Sequence, residues 1–184
     1  GRRFASEHWG VVPDISSLAK GLGSGLPIGA VVARRALMQR WSRGAHGNTY
    51  GGNPVTCAAA IATLDLVEHE YAANAAAMGE YFIGRLRDLA ARHDCIAEVR
   101  GRGLMIGMEL VEDRRTMAPA RELVEALTTR GYHNGLLLLS CGRSTIRFMP
   151  PLCVTRAEID EAFAILSASL DEAVAATRPG AVPA

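Results

Sequence analysis

Short apolar runs alternate with helix-period segments along this 184-residue chain, and that alternation restricts it to an α/β architecture. The later half shows it most clearly. Residues 104–111 read as an apolar strand entered by the glycine turn Gly101-Arg102-Gly103. Residues 119–130 read as a helix with Leu123, Val124 and Leu127 on one face and Gly131 as its stop. Residues 136–139 and 145–148 are two further strands, separated by the turn Cys141-Gly142-Arg143. A last helix opens on the capping box Thr155-Arg156-Ala157-Glu158. Ile159, Phe163, Leu166, Leu170 and Val174 make its buried stripe, and Arg178-Pro179-Gly180 ends it.

The earlier half carries weaker signals. Residues 15–18 predict a short strand that runs toward Lys20, and residues 30–33 a strand of a sheet covered on both faces. Residues 34–41 predict a helix, and 44–52 a polar, glycine-rich loop. Asn53 is placed to cap a helix that has Pro54 at its first position. That helix should reach about residue 71, with Ile61, Leu64 and Val67 on its apolar side. A second helix begins near Asn74, with Met78, Phe82, Leu86 and Leu89 on one face and Arg85, Arg87, Asp88 and Arg92 in water. The boundary falls at 72–73, giving domains 1–72 and 73–184.

Lys20 is the one lysine among 20 basic residues. Coding bias would explain that, and so would chemistry. An arginine cannot lose its proton and attack a carbonyl, whereas a lysine amine can. Lys20 therefore reads as a Schiff-base lysine. Gly21, Gly23 and Gly25 around it would let a flat ring and a phosphate approach the backbone. They are not a nucleotide-hydrolase phosphate loop, which places its lysine after the glycines. Nor are they a dinucleotide fingerprint, because the third glycine position is Leu26; at Gly101-Arg102-Gly103 it is Ile106.

Two more positions are candidates. Arg147 leaves its strand on the face opposite Ile146 and Phe148, and Pro150-Pro151 stops the strand just after it. A planar fork at a rigid strand end suits a carboxylate, though the residues alone favour a structural salt bridge to an acid at a domain interface. Thr49 lies in a glycine-flanked loop before a capped helix, where exposed amides and a helix N-terminus favour an anion; an ordinary turn threonine would look the same. The near balance of 20 basic and 19 acidic residues argues against nucleic acid or an anionic membrane as the main partner. No apolar run is long enough to span a bilayer. Cys57, Cys95, Cys141 and Cys153 lack any Cys-x-x-Cys pair, as expected of reduced thiols in a cytoplasmic protein. His8, His46, His69, His93 and His133 show no metal-ligand spacing.

Three stretches, in one order, resemble the class III aminotransferases, the ω-amino acid enzymes that include 4-aminobutyrate and acetylornithine aminotransferases. Asp14 to Gly23 with Leu26 to Val32 is similar to the family's lysine segment. His46-Gly47-Asn48-Thr49-Tyr50-Gly51-Gly52-Asn53-Pro54 resembles its phosphate-contacting loop, and Thr145-Ile146-Arg147-Phe148-Met149-Pro150-Pro151-Leu152 its substrate-arginine strand. The resemblance implies the C-terminal part of a fold type I pyridoxal-phosphate transferase, namely the end of the large mixed-sheet domain followed by a small α/β domain. It implies that Lys20 binds pyridoxal 5'-phosphate as a Schiff base, that Thr49 reaches the cofactor phosphate of the neighbouring subunit in a homodimer, and that Arg147 grips the substrate carboxylate. The amino group would pass from an ω-amino acid to 2-oxoglutarate. The acidic partner of the pyridine nitrogen and the ring-stacking aromatic are expected in an N-terminal half. A racemase on the same scaffold, or an inactive fragment that needs that half, are the alternatives.

Overall fold

The computed structural model describes residues 1–177; the predicted helix stop at Arg178-Pro179-Gly180 lies outside the described residues. The chain divides into two compact units, Arg2–Ala73 and Asn74 onward, with Gly1 belonging to the second.

In the first unit, β1 (Ile15–Leu18) pairs antiparallel with β2 (Ala30–Ala33), register Ile15 to Ala33 and Leu18 to Ala30. The two strands form a sheet of their own. The expected cover on both faces is absent: Ile15, Val31 and Val32 are all exposed. A two-stranded ribbon has too little surface to bury its own branched side chains, so their apolar character alone did not report burial. One turn of helix, α1 (Arg35–Met38), stands where a longer one was expected. α2 (Pro54–Leu66) starts as the sequence predicts, with Asn53 Oδ1 accepting from the amides of Val55 at 2.9 Å and Thr56 at 3.3 Å. Its predicted apolar side is not a core. Ile61 is exposed, Leu64 and Val67 are partly buried, and only Gly23 and Ala60 are buried among residues 2–73.

Helical backbone continues from Pro54 past the predicted break. α2 leads into a π-helical segment, Val67–Tyr71, and then into α3 (Ala72–Ala90). The alanines at 72, 73 and 75–77 are the strongest helix formers, and no Gly or Pro interrupts them, so nothing local stops the helix there. The π segment absorbs the irregularity instead.

The second unit is a four-stranded antiparallel sheet in the order β3-β4-β6-β5, built from β3 (Ile96–Arg102), β4 (Met105–Leu110), β5 (Leu139–Cys141) and β6 (Thr145–Phe148). With α3, α4 (Arg121–His133) and α5 (Arg156–Thr177) it encloses one core. Ile106, Met108 and Leu110 of β4 and Ile146 and Phe148 of β6 meet Phe82, Leu86 and Leu89 of α3, Leu127 of α4, and Ile159, Phe163, Leu166 and Leu170 of α5. Fully burying each such leucine contributes about 2 kcal/mol. The predicted stripes of α3, α4 and α5 therefore hold, with Met78 and Val174 packed at the margin.

Four details depart from expectation. β3 was not foreseen at all. Arg85 is not simply solvated: it pairs with Asp160 and lies 4.2 Å from the centre of the Phe163 ring, so it bridges α3 and α5. Gly131 does not stop α4, which runs to His133. It is buried, and a Cβ there would meet Leu138 Cδ1 at 2.9 Å and Leu136 O at 3.0 Å, so the glycine serves a close approach. Finally, β5 begins only at Leu139, because residues 136–138 make no ladder bonds.

Candidate active site

Lys20 follows β1 directly. Ala19 is extended, and Lys20 then takes φ +51°, the left-handed region, as the first residue of a 3-10 turn that ends at Gly23. That conformation costs a side-chain-bearing residue about 1–2 kcal/mol. Glycines stand at 21, 23 and 25, yet lysine holds the strained position. Gly23 is buried, and a Cβ there would lie 2.7 Å from Ile28 Cγ2, so the turn needs a glycine at that point. Ser24, also left-handed, accepts a hydrogen bond from Thr63 Oγ1 of α2 at 3.0 Å, which ties the turn to the helix. Lys20 is exposed, and its amine makes no hydrogen bond or ion pair among the described residues. Strain at a reactive side chain with no partner is the kind of outlier that points to function.

The loop before α2 belongs to the same unit. Thr49 occupies a corner of the turn Asn48–Gly51, closed by Gly51 N donating to Asn48 O at 3.1 Å. Its hydroxyl has no hydrogen-bond partner among the described residues. The helix N-terminus expected to favour an anion is already taken, because Asn53 Oδ1 receives the first amides of α2. Asn48 Oδ1 likewise accepts from Tyr50 N at 2.9 Å. An anion at this loop would therefore rely on Thr49 rather than on the helix end. An open cavity of about 780 Å³ in this unit is lined by Ser17, Gly29, Trp41, His46, Asn48 and Tyr50, among others. Neither Lys20 nor Thr49 is part of its wall. His46, Asn48 and Tyr50 had no role on sequence grounds; their polar types in one short loop were the available signal.

Arg147 lies in the other unit. It stands opposite Gly107 on β4 and Leu139 on β5, on the sheet face away from Ile146 and Phe148, as its strand position predicts. It is half-buried at the wall of an apolar cavity of about 250 Å³, beside Leu137, Leu139, Met149 and Pro150. Its Nε is fully buried and has no hydrogen-bond partner among the described residues. No carboxylate pairs with it among the described residues, so the structural salt bridge is not found there. An unsatisfied buried guanidinium N–H costs on the order of 1–3 kcal/mol.

The donor set fits an aldehyde-and-phosphate cofactor such as pyridoxal phosphate: one primary amine free of partners and one unpartnered hydroxyl in a glycine-flanked turn. No group of three or more His, Cys, Asp or Glu that could hold a metal occurs among the described residues. The four cysteines are free thiols, and burial raises the Cys95 pKa above its ordinary value. No helix among the described residues is long and apolar enough to cross a membrane.

Residues 1–170 match the family model described as "Aminotransferase class-III". The chain belongs to that family. It is 44% identical to an acetylornithine aminotransferase of Caldanaerobacter subterraneus over 94% of its own length and 42% of that protein's. It is 40% identical to a 5-aminovalerate aminotransferase of Pseudomonas aeruginosa over 94% of itself and 41% of the relative. Among solved structures, the acetylornithine aminotransferase of Elizabethkingia anophelis superposes with TM-score 0.80 at 34% identity, covering 91% of this chain and 41% of that one. A PLP-bound amine transaminase from an uncultivated Pseudomonas species gives TM-score 0.82 at 36% identity, covering 91% and 40%. The class-III chain thus has the α/β fold of the matched part of these enzymes and spans about two-fifths of their length.

Proposed function

We propose that this chain supplies the lysine, the phosphate-contacting threonine and the substrate arginine of a pyridoxal-phosphate-dependent aminotransferase. The enzyme would move an amino group from an ω-amino acid, such as 4-aminobutyrate or acetylornithine, to 2-oxoglutarate. The observation that carries this reading is Lys20, the sole lysine, held in left-handed backbone without a polar partner. Family membership and the named activities of the relatives support it.

Pyridoxal phosphate, when bound, supplies an aldehyde for the amine and a ring that accepts electrons from the neighbouring carbon. The chain's own residues do the rest. Lys20 Nζ is the amine that would hold the cofactor and, once released, would take a proton from the substrate carbon that bears nitrogen and deliver it to the cofactor's former aldehyde carbon. Such a positioned proton-transfer group contributes about a hundred- to ten-thousandfold. Thr49 Oγ1 would donate to the cofactor phosphate of a neighbouring subunit in a homodimer. Arg147 would receive the substrate carboxylate with its fork. In this reading residues 1–72 end the large cofactor-binding domain and 73–184 form the small C-terminal domain of a cytoplasmic protein.

A chimera tests the reading. The matched segment of the Caldanaerobacter enzyme is replaced by this chain, and glutamate formation from 2-oxoglutarate is followed with an amine donor present. The chimera should form glutamate, and Lys20→Ala should reduce the rate by about a hundredfold or more. Equal rates with and without Lys20 would refute it, and donor racemisation without keto acid would favour the racemase instead.

A further inference from the structure

We infer that Asn74 is a positioning residue for Arg147: it clamps the loop that follows β6 and so sets the aim of the guanidinium toward a carboxylate ligand. The inference rests on the reading of Arg147 as the carboxylate-binding residue.

β6 is flanked on both sides only as far as Arg147, by Gly107 and Leu139. Phe148 keeps one strand neighbour, Ile106, and Met149 has none. Pro150 and Pro151 then lack amide hydrogens, so the chain cannot donate a backbone hydrogen bond at either position. Two restraints take over. One is local, from Val154 N to Pro151 O at 3.0 Å. The other comes from the first turn of α3, where Asn74 Nδ2 donates to Leu152 O at 2.7 Å and to Val154 O at 3.1 Å. Both amide hydrogens of Asn74 are spent on this loop.

The loop also walls the Arg147 cavity, through Met149, Pro150 and Val154. Among the described residues Arg147 has no ion pair, and its buried Nε has no hydrogen-bond partner. Its orientation is therefore set by the walls it packs against and not by polar contacts. A loop released by loss of Asn74 moves those walls, and the guanidinium loses its aim while its charge stays in place. No local pattern points to this contact, because the carbonyls that Asn74 meets lie 78 and 80 residues further along the chain.

The test uses the 184-residue chain with 2-oxoglutarate as the probe. The Nε–Hε resonance of Arg147 is followed by nitrogen-15 NMR and assigned by its disappearance in Arg147→Lys. Asn74→Asp keeps the shape and removes the donor; Asn74→Ala removes the group. The wild-type resonance should titrate with 2-oxoglutarate, and both variants should weaken the dissociation constant by about tenfold while the remaining spectrum stays dispersed. Pro151→Ala, which loosens the same loop without touching Asn74, should weaken it in the same direction and keeps the test open if the Asn74 variants do not fold. Variants that melt at lower temperature yet bind with wild-type affinity would overturn the clamp. A wild-type resonance that does not respond would overturn the carboxylate reading of Arg147 itself.

Discussion

Lys20 is held in a conformation that an asparagine would adopt at lower cost. The Lys20→Asn variant is therefore expected to be more stable than the wild type, by about 0.5–1 kcal/mol, while losing the aldehyde adduct at position 20. Urea unfolding read in the first unit checks the first half of that statement, and borohydride trapping the second. An unchanged or lowered midpoint would mean that the positive φ carries no strain. The type and rarity of Lys20 were legible in the sequence, and so was the face of Arg147, which follows from strand alternation. The left-handed backbone of Lys20 was not legible, because three adjacent glycines offered cheaper places for such a turn. The capped α2 terminus was half legible. Asn53 was identified as the cap, but a cap that satisfies the first amides also removes them from any ligand.

At the scale of elements, side chains that finish helices explain much of the second unit. The Arg114 guanidinium donates to the carbonyls of Ala90, His93, Asp94 and Ile96, where α3 ends and β3 begins. Arg114→Ala should destabilise this unit by about 1–2 kcal/mol, seen as a lower urea midpoint with an unchanged slope. At the start of α5, Glu158 Oε2 accepts from Thr155 N at 2.7 Å and from Thr155 Oγ1 at 2.8 Å. The backbone amide first, then the hydroxyl, hold the Glu158 pKa below its ordinary value. A depressed carboxylate stabilises the fold above its unfolded pKa, and the contribution is lost as pH falls through the folded one. Stability should thus drop below about pH 5, and Glu158→Gln should make that acid limb shallower. An identical limb in both proteins would contradict the capping role. The capping box, Asn53-Pro54 and the strands at 15–18, 30–33 and 145–148 could be read directly, because each has a local signal. β3 could not. Its charged residues Glu98, Arg100 and Arg102 and the internal Gly101 look like a loop, and only pairing with β4 makes the segment a strand. There Arg100 bonds Glu98 along its own strand and Glu109 across the hairpin.

At the scale of the whole molecule, the distribution of burial is uneven. Every residue of the main core lies between Ala75 and Ala173, while residues 2–73 bury only Gly23 and Ala60 and leave Trp9, Val12, Trp41, Tyr50, Val55 and Ile61 exposed. Hydrogen exchange should therefore be slowest in β4, β6 and α5, with amides of residues 2–73 exchanging roughly a hundredfold faster or more. Comparable protection in both units would show that the first one has a core of its own. The exposed apolar side chains are also what a surface that meets other polypeptide would present. The sequence pattern could assign those residues to helices and strands but not their burial, since burial depends on partners that a short window does not contain. The central claim, that Lys20 is the cofactor lysine, has one direct measurement. The chain is mixed with pyridoxal phosphate, reduced with borohydride, and the adduct mapped by peptide mass spectrometry. The only other primary amine is that of Gly1. A single stoichiometric adduct on Lys20 is the predicted result; an adduct on Gly1 alone, or none, would contradict it.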